Sequence, residues 1–312
     1  MHPALSVIFF TVLSGAGYGL FSLVAVLQLT GGYPPPSGGE VVLQLGAALV
    51  LITAGLLSSS LHLHNPKNAW RAFLRVHTSW LSREGLLAVA FYPFALFYLW
   101  GVWGEGAQAD GLSAVAGWLA VLLAVGTVFS TGMIYASLKT IRQWNTALTP
   151  ANYLLLGLAL GALLMAALHG AAGGRDPVLP ALALGALVVA GLMKGIYYLW
   201  IRIDSGSTLN TATGFTRAPV RLMDPGHTAG TFLTREFGFD PGAERLEQLR
   251  LGVMGLGFVL PALLLAWVLH GASTVWVHLA LLSALAGIGL ERWLFFAEAR
   301  HSVMLYHGLQ RT

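Results

Sequence analysis

Cysteine is absent from all 312 residues. That excludes disulfides, zinc–thiolate sites and cysteine-ligated iron–sulfur clusters within this chain. Any electron traffic through it must therefore use metal centres held by a partner. Charge is scarce as well: 10% of residues are Asp, Glu, Lys or Arg, against about 25% in a soluble domain. With 56% hydrophobic residues and a mean hydropathy of +0.71, the protein cannot cover a water-facing surface, so the bilayer is its main solvent. No basic patch is backed by a soluble fold, which argues against nucleic acid. The N-terminal run "MHPALSVIFFTVLSGAGYGLFSLVAVLQL" has no Lys or Arg before it and no clear small-residue cleavage site after it. It reads as a retained first helix rather than a signal peptide. Glycine, by contrast, is plentiful at 38 residues, as expected where membrane helices pack closely through small side chains.

A bilayer core needs about 20 apolar residues in a helix. Eight runs qualify, at roughly 5–29, 41–63, 85–103, 113–138, 151–172, 178–202, 251–270 and 274–297. The expected fold is all-α, a polytopic bundle of eight transmembrane helices forming one domain over 1–312. Asp240 and Pro241 are a candidate N-cap and first position, starting the seventh helix before its apolar part. The connections alternate in charge. Fifteen of the seventeen basic residues fall on one face, Arg175 falls on the other, and Lys194 lies within a span. By the positive-inside rule the basic face is cytoplasmic and both termini lie there, in a bacterial inner membrane.

The polar stretch "SSSLHLHNPKNAWRAFLRVHTSWLSREG" (58–85) joins the second and third spans. His62 and His64 end the second span. Asn65 and Pro66 suit a helix start. Over 66–82, Trp70, Phe73, Leu74 and Leu81 recur at helical spacing, with Arg71, Arg75, Thr78 and Ser82 on another side, so an amphipathic interfacial helix is expected. Glu84 then opens the third span, at the depth of His62 and close to Arg71 and Arg75. Quinone chemistry needs an apolar slot, hydrogen-bonding groups for the carbonyl oxygens and a group that exchanges protons. A histidine and a carboxylate suit the last two tasks. The alternative is an interfacial histidine and a Glu84 that only complements a helix N-terminus. His64 and His77 read as interfacial.

Lys194 sits eight residues before Arg202, roughly 12 Å inside the span end at 1.5 Å per residue. A central lysine costs about 2.5–3.5 kcal/mol on insertion scales, so it is a functional candidate unless it snorkels or pairs with Glu291. A b-type haem needs two facing histidines. His169, His270 and His278 gather towards the other face, and no span carries a mid-membrane pair. "GAGYGL" (15–20) is a helix-packing motif rather than a phosphate loop. The only long connection, 203–250, is rich in Thr, Gly and Arg. Its Arg217, Arg221, Phe232 and Arg235, with Phe215, Phe237 and Phe239, make it a candidate docking surface; a flexible loop is the alternative. A secondary transporter would show paired Gly/Pro-broken spans, and no such pair stands out.

"MHPALSVIFFTVLSGAGYGL", the 58–85 stretch, "YASLKTIRQWNTALTPANYLLLG" and "ERWLFFAEARH" together resemble the dimethyl sulfoxide reductase anchor subunit family over essentially the whole chain. The resemblance implies an eight-helix anchor without haem, iron–sulfur cluster or molybdenum of its own. It implies an iron–sulfur partner subunit, a molybdopterin catalytic subunit, and electrons passing to or from menaquinone or ubiquinone. It places His62 and Glu84 at positions associated with quinol binding. Asn68 stands where the family carries an arginine, leaving Arg71 or Lys67 as the nearest basic residue. The sequence is most similar to the branch paired with cytoplasmic sulfite dehydrogenases, which implies quinone reduction by electrons from sulfite. The alternative within the family is a quinol-oxidising anchor of a terminal reductase.

Overall fold

A computed structural model of the protein describes residues 3–32, 38–60, 66–104, 109, 111–203, 206–224 and 229–312. Among them are eight helices long and apolar enough to cross a membrane. These are α1 (Leu5–Thr30), α2 (Gly38–Ser60), α3 (Trp80–Gly104), α4 (Gly111–Ala136), α5 (Leu148–Ala171) and α6 (Val178–Ile203). After the short α7 (Leu209–Thr213) and α8 (Phe232–Phe237) come a seventh span, Ala243–Leu269, and α11 (Val275–Ala297). The seventh span is built from α9 (Ala243–Met254), a π turn at Gly255–Val259 and α10 (Leu260–Leu269). No strand occurs among the described residues, only two isolated bridges. The protein is a multi-pass, all-α membrane protein.

Three boundaries and one stretch within a span differ from the expectation for local reasons. The third span starts at Trp80 rather than 85, because Arg83 folds back to donate to the carbonyls of Val76 (2.9 Å) and His77 (2.8 Å) and stacks over Trp80. The expected interfacial helix over 66–82 is instead a 3-10 helix, Pro66–Arg75, followed by a turn. The seventh span begins at Ala243, with Gly242 at its N-cap; Asp240 accepts the Gly242 N–H at 3.0 Å from outside the helix. The π turn precedes Pro261, which has no N–H to offer the carbonyl four residues back. The ladder widens there, and Leu260 N–H donates to Gly255 O, five residues back.

α1 lies at the centre, packed against α2, α4, α5 and α11. Its crossing with α5 brings two glycine pairs, Gly15/Gly19 and Gly157/Gly161, to backbone contact. A Cβ on Gly19 would sit 2.0 Å from Gly157 O, and one on Gly161 would sit 2.3 Å from the Gly19 carbonyl carbon. This is the small-xxx-small geometry that lets helices approach where no hydrophobic effect drives them together.

At the basic face the helix ends are tied by an aromatic knot. Trp144, in the α4–α5 connection, stacks on Phe295 at 5.3 Å and donates Nε1–H to Phe295 O at 2.9 Å. Tyr135 and Tyr153 stack beside it at 5.8 Å. The segment beyond α11 stays on this face: His301 bridges Ile141, residues Ser302–His307 form a 3-10 helix, and Arg311 bridges Thr208.

Candidate functional site

Glu84 lies one turn into α3, towards the basic face, and is 5% exposed. Its Oε1 accepts a hydrogen bond from Thr131 Oγ1 of α4 at 2.5 Å. Thr131 belongs to a polar stripe on α4 with Thr127 and Ser130, all buried. A carboxyl in this setting is shielded from water and held in one orientation, as a group that exchanges protons with a bound ligand must be.

α1, α4 and α5 leave a cleft of about 380 Å³, which shares α4 with the Glu84–Thr131 pair but is not lined by Glu84. Gly15, Tyr18 and Gly19 line one wall, Val128 another, and Leu155 and Gly157 the third. The surface is almost wholly apolar, with Tyr18 and Ser22 as its polar residues; the Tyr18 hydroxyl is buried and makes no well-formed hydrogen bond among the described residues, although Thr127 stands next to it. An apolar slot with one orphaned hydroxyl and a nearby carboxyl suits a flat, apolar ligand carrying carbonyl oxygens.

The other expected site residues are placed as follows. His62 falls outside the described residues. Arg71 and Arg75 are exposed on the 3-10 helix, and neither makes a hydrogen bond or ion pair with Glu84 among the described residues. This helix packs back on α3 through Phe73, whose ring edge lies 3.5 Å from where a Gly85 Cβ would be, while Trp70 and Leu74 point outwards. Lys194 is not at the cleft. It is 1% exposed and forms an ion pair with Glu291 of α11, which is itself fully buried. Of the docking candidates, Arg217, Arg221 and Arg235 are exposed and Phe232 is 75% exposed. Two short helices, α7 and α8, order that connection, each opened by a threonine capping box (Thr208/Thr211 and Thr231/Thr234).

Tyr18 and Thr131 were not legible as site residues from the sequence. The clustering of Thr127, Ser130 and Thr131 within an otherwise apolar span was the signal available for the second. Glu291 also bonds its neighbour Arg292 at 2.5 Å, and Arg292 lies over the Tyr153 ring at 4.1 Å. At the opposite face a second buried pair joins Glu40 of α2 to His169 Nδ1 of α5 at 2.8 Å. Among the described residues, no group of three His, Asp or Glu is arranged to hold a metal ion.

The protein is similar over its whole length to a sulfite dehydrogenase subunit of Allochromatium vinosum, with 36% identity across 98% of this sequence and 99% of that one. It is 30% identical to one of the polypeptides of the anaerobic dimethyl sulfoxide reductase of Escherichia coli, over 59% of this sequence and 65% of that one. Residues 1–298 match the family described as DMSO reductase anchor subunit (DmsC). With eight spanning helices and a match across nearly all its residues, the protein belongs to the DMSO reductase anchor subunit family.

Proposed function

We propose that the protein is the quinone-reactive anchor of a molybdopterin/iron–sulfur oxidoreductase, joining an iron–sulfur partner subunit to membrane quinone. The observation that carries this reading is Glu84, a buried carboxyl held by Thr131 beside an apolar cleft with the orphaned Tyr18 hydroxyl. A bound quinone supplies two-electron, two-proton chemistry. The protein's own groups would do the rest. The cleft walls exclude water, Tyr18 donates a hydrogen bond, Thr131 fixes the Glu84 carboxyl, and Glu84 exchanges the proton. His62 is proposed as the second polar partner. Arg71 and Arg75 would bear on the same site from the interface. The anchor would carry no haem, cluster or molybdenum itself.

The full-length similarity to a sulfite dehydrogenase subunit favours electrons drawn from sulfite and passed to quinone. The distribution of basic residues favours a cytoplasmic basic face and cytoplasmic termini in the inner membrane. Arg217, Arg221, Phe232 and Arg235 would then meet the iron–sulfur subunit there. The similarity to a dimethyl sulfoxide reductase polypeptide supports the second reading, quinol oxidation in a terminal reductase.

The test is purification through a C-terminal tag in mild detergent, with metal analysis, an optical spectrum and assays with sulfite and sulfoxides. Co-eluting subunits carrying molybdenum and excess iron without haem bands are expected. Glu84→Gln should lower quinone-linked turnover about 10²-fold, while electron transfer from the catalytic subunit to an artificial acceptor is unchanged. Normal quinone-linked turnover in that variant would remove Glu84 from the site.

A further inference from the structure

The Glu84 site has a polar connection to the basic face that its chemistry needs and that the cleft does not provide. Thr131, which holds Glu84, precedes Tyr135 by one turn on α4. Tyr135 stacks on Tyr153 at 5.8 Å, and Arg292 lies over Tyr153 at 4.1 Å. Arg292 bonds Glu291 at 2.5 Å, and Glu291 pairs with Lys194. Lys194 Nζ lies over the rings of Tyr197 (4.0 Å) and Tyr198 (4.8 Å), and Arg250 lies over the same Tyr198 ring at 5.6 Å. Glu298 Oε1 bonds Arg250 Nε at 2.6 Å. Its other oxygen, Oε2, is buried without a hydrogen-bond partner among the described residues. Glu298 lines a polar recess of about 130 Å³ at the basic face, with Gln143, Arg250, Arg300 and Arg311.

We infer that Glu298, Lys194 and Glu291 form a proton-transfer path from this recess to Glu84, with Tyr153 and Tyr135 as its inner end and Arg292 holding Glu291 and Tyr153 in place. The inference rests on the quinone reading of the Glu84 site. Reduction of one quinone to quinol takes two electrons from the partner subunit and two protons from water. A carboxyl walled off from water must regain each proton it gives up. Glutamate, lysine and tyrosine each carry an exchangeable proton, whereas Arg250 and Arg292 remain cationic and orient the carboxylates beside them. A purely structural staple would not need Glu298 to leave one buried oxygen without a hydrogen-bond partner beside a polar recess. Intramembrane ionisable groups of this kind commonly mark proton routes.

The experiment compares Lys194→Met and Glu298→Gln with wild type and Glu84→Gln in the purified complex. Readouts are the pH profile of quinone-linked turnover, the solvent deuterium isotope effect, and binding of a fluorescent quinone analogue to the resting complex. Both path variants should lose about tenfold or more of turnover on the alkaline side, where protons are scarce. They should show a larger isotope effect, regain rate with a small weak acid such as azide, and bind the analogue as wild type does. Glu298→Gln carries the test at the recess while leaving the Lys194–Glu291 pair in place. Wild-type profiles and isotope effects in both path variants, with Glu84→Gln inactive, would overturn the path and leave the site standing. A uniform loss at every pH, without isotope effect or rescue, would also overturn it and make the network a structural tie. Wild-type turnover and analogue binding in Glu84→Gln would overturn the site and the path with it.

Discussion

Side chain by side chain, the interior of this bundle is organised around a few charges that water cannot reach. Glu291 serves two cations at once, Lys194 and Arg292. Removing it strands both, so Glu291→Ala should destabilise the protein by about 3–5 kcal/mol. Lys194→Met should cost less, because Glu291 keeps Arg292. Unfolding in mixed micelles would rank the two, and an equal loss would contradict the shared-carboxylate arrangement. His301 gives a pH prediction outside the membrane. Its Nδ1 accepts the Val303 N–H at 3.0 Å, its ring lies 4.7 Å from that of Phe237, and burial holds its pKa below the ordinary 6.5. The unfolded state therefore binds the proton more readily, and the stabilisation is fully present above pH 6.5 and fades as pH falls through the lowered value. Proteolysis of the segment after α11 should speed up on acidification, and His301→Phe should abolish that dependence. Sequence could single out Glu84 and Lys194 because a charge in an apolar run is conspicuous. It could not identify Tyr18 or Thr131, because a tyrosine or threonine in a membrane helix is commonplace until its neighbours across the bundle are known.

Helix by helix, composition and length determine that spans exist, while their contacts depend on which small residues face one another. All eight spans were legible, with ends displaced by a few residues where a side chain such as Arg83 reached back to cap a turn. The excess of glycine announced close packing but not its location. Gly19 and Gly185 look alike in sequence, yet a Cβ at Gly19 would overlap the α5 backbone and one at Gly185 would meet nothing within 4 Å. Gly19→Ala should cost about 1–3 kcal/mol or more through overpacking, whereas Gly185→Ala should stay within about 0.5 kcal/mol. Thermal stability in detergent distinguishes them. The 66–82 segment shows the converse limit. Its spacing of apolar residues fits an α-helix, yet Pro66–Arg75 form a tighter 3-10 helix, with Phe73 set against Gly85 of α3.

For the molecule as a whole, the proposed orientation rests on charge distribution alone. The protein lacks cysteine, so single cysteines can be introduced without further change. Thr213→Cys should be labelled by an impermeant maleimide only in inside-out vesicles, and Ala172→Cys only from the opposite side; the reverse pattern would invert the assignment. The tie between the post-α11 segment and the α7 region, through the Thr208–Arg311 bridge, was invisible in the sequence because its two ends lie so far apart along it. The central position of α1 bears on biogenesis. It is the first of the eight spans to leave the ribosome, yet 72% of its most apolar stretch is buried by protein. Its glycine face can close only after Gly161 has been made, and its contact with α11 forms only when the last span arrives. Until then a helix shaped to touch protein must reside beside lipid or an insertion chaperone.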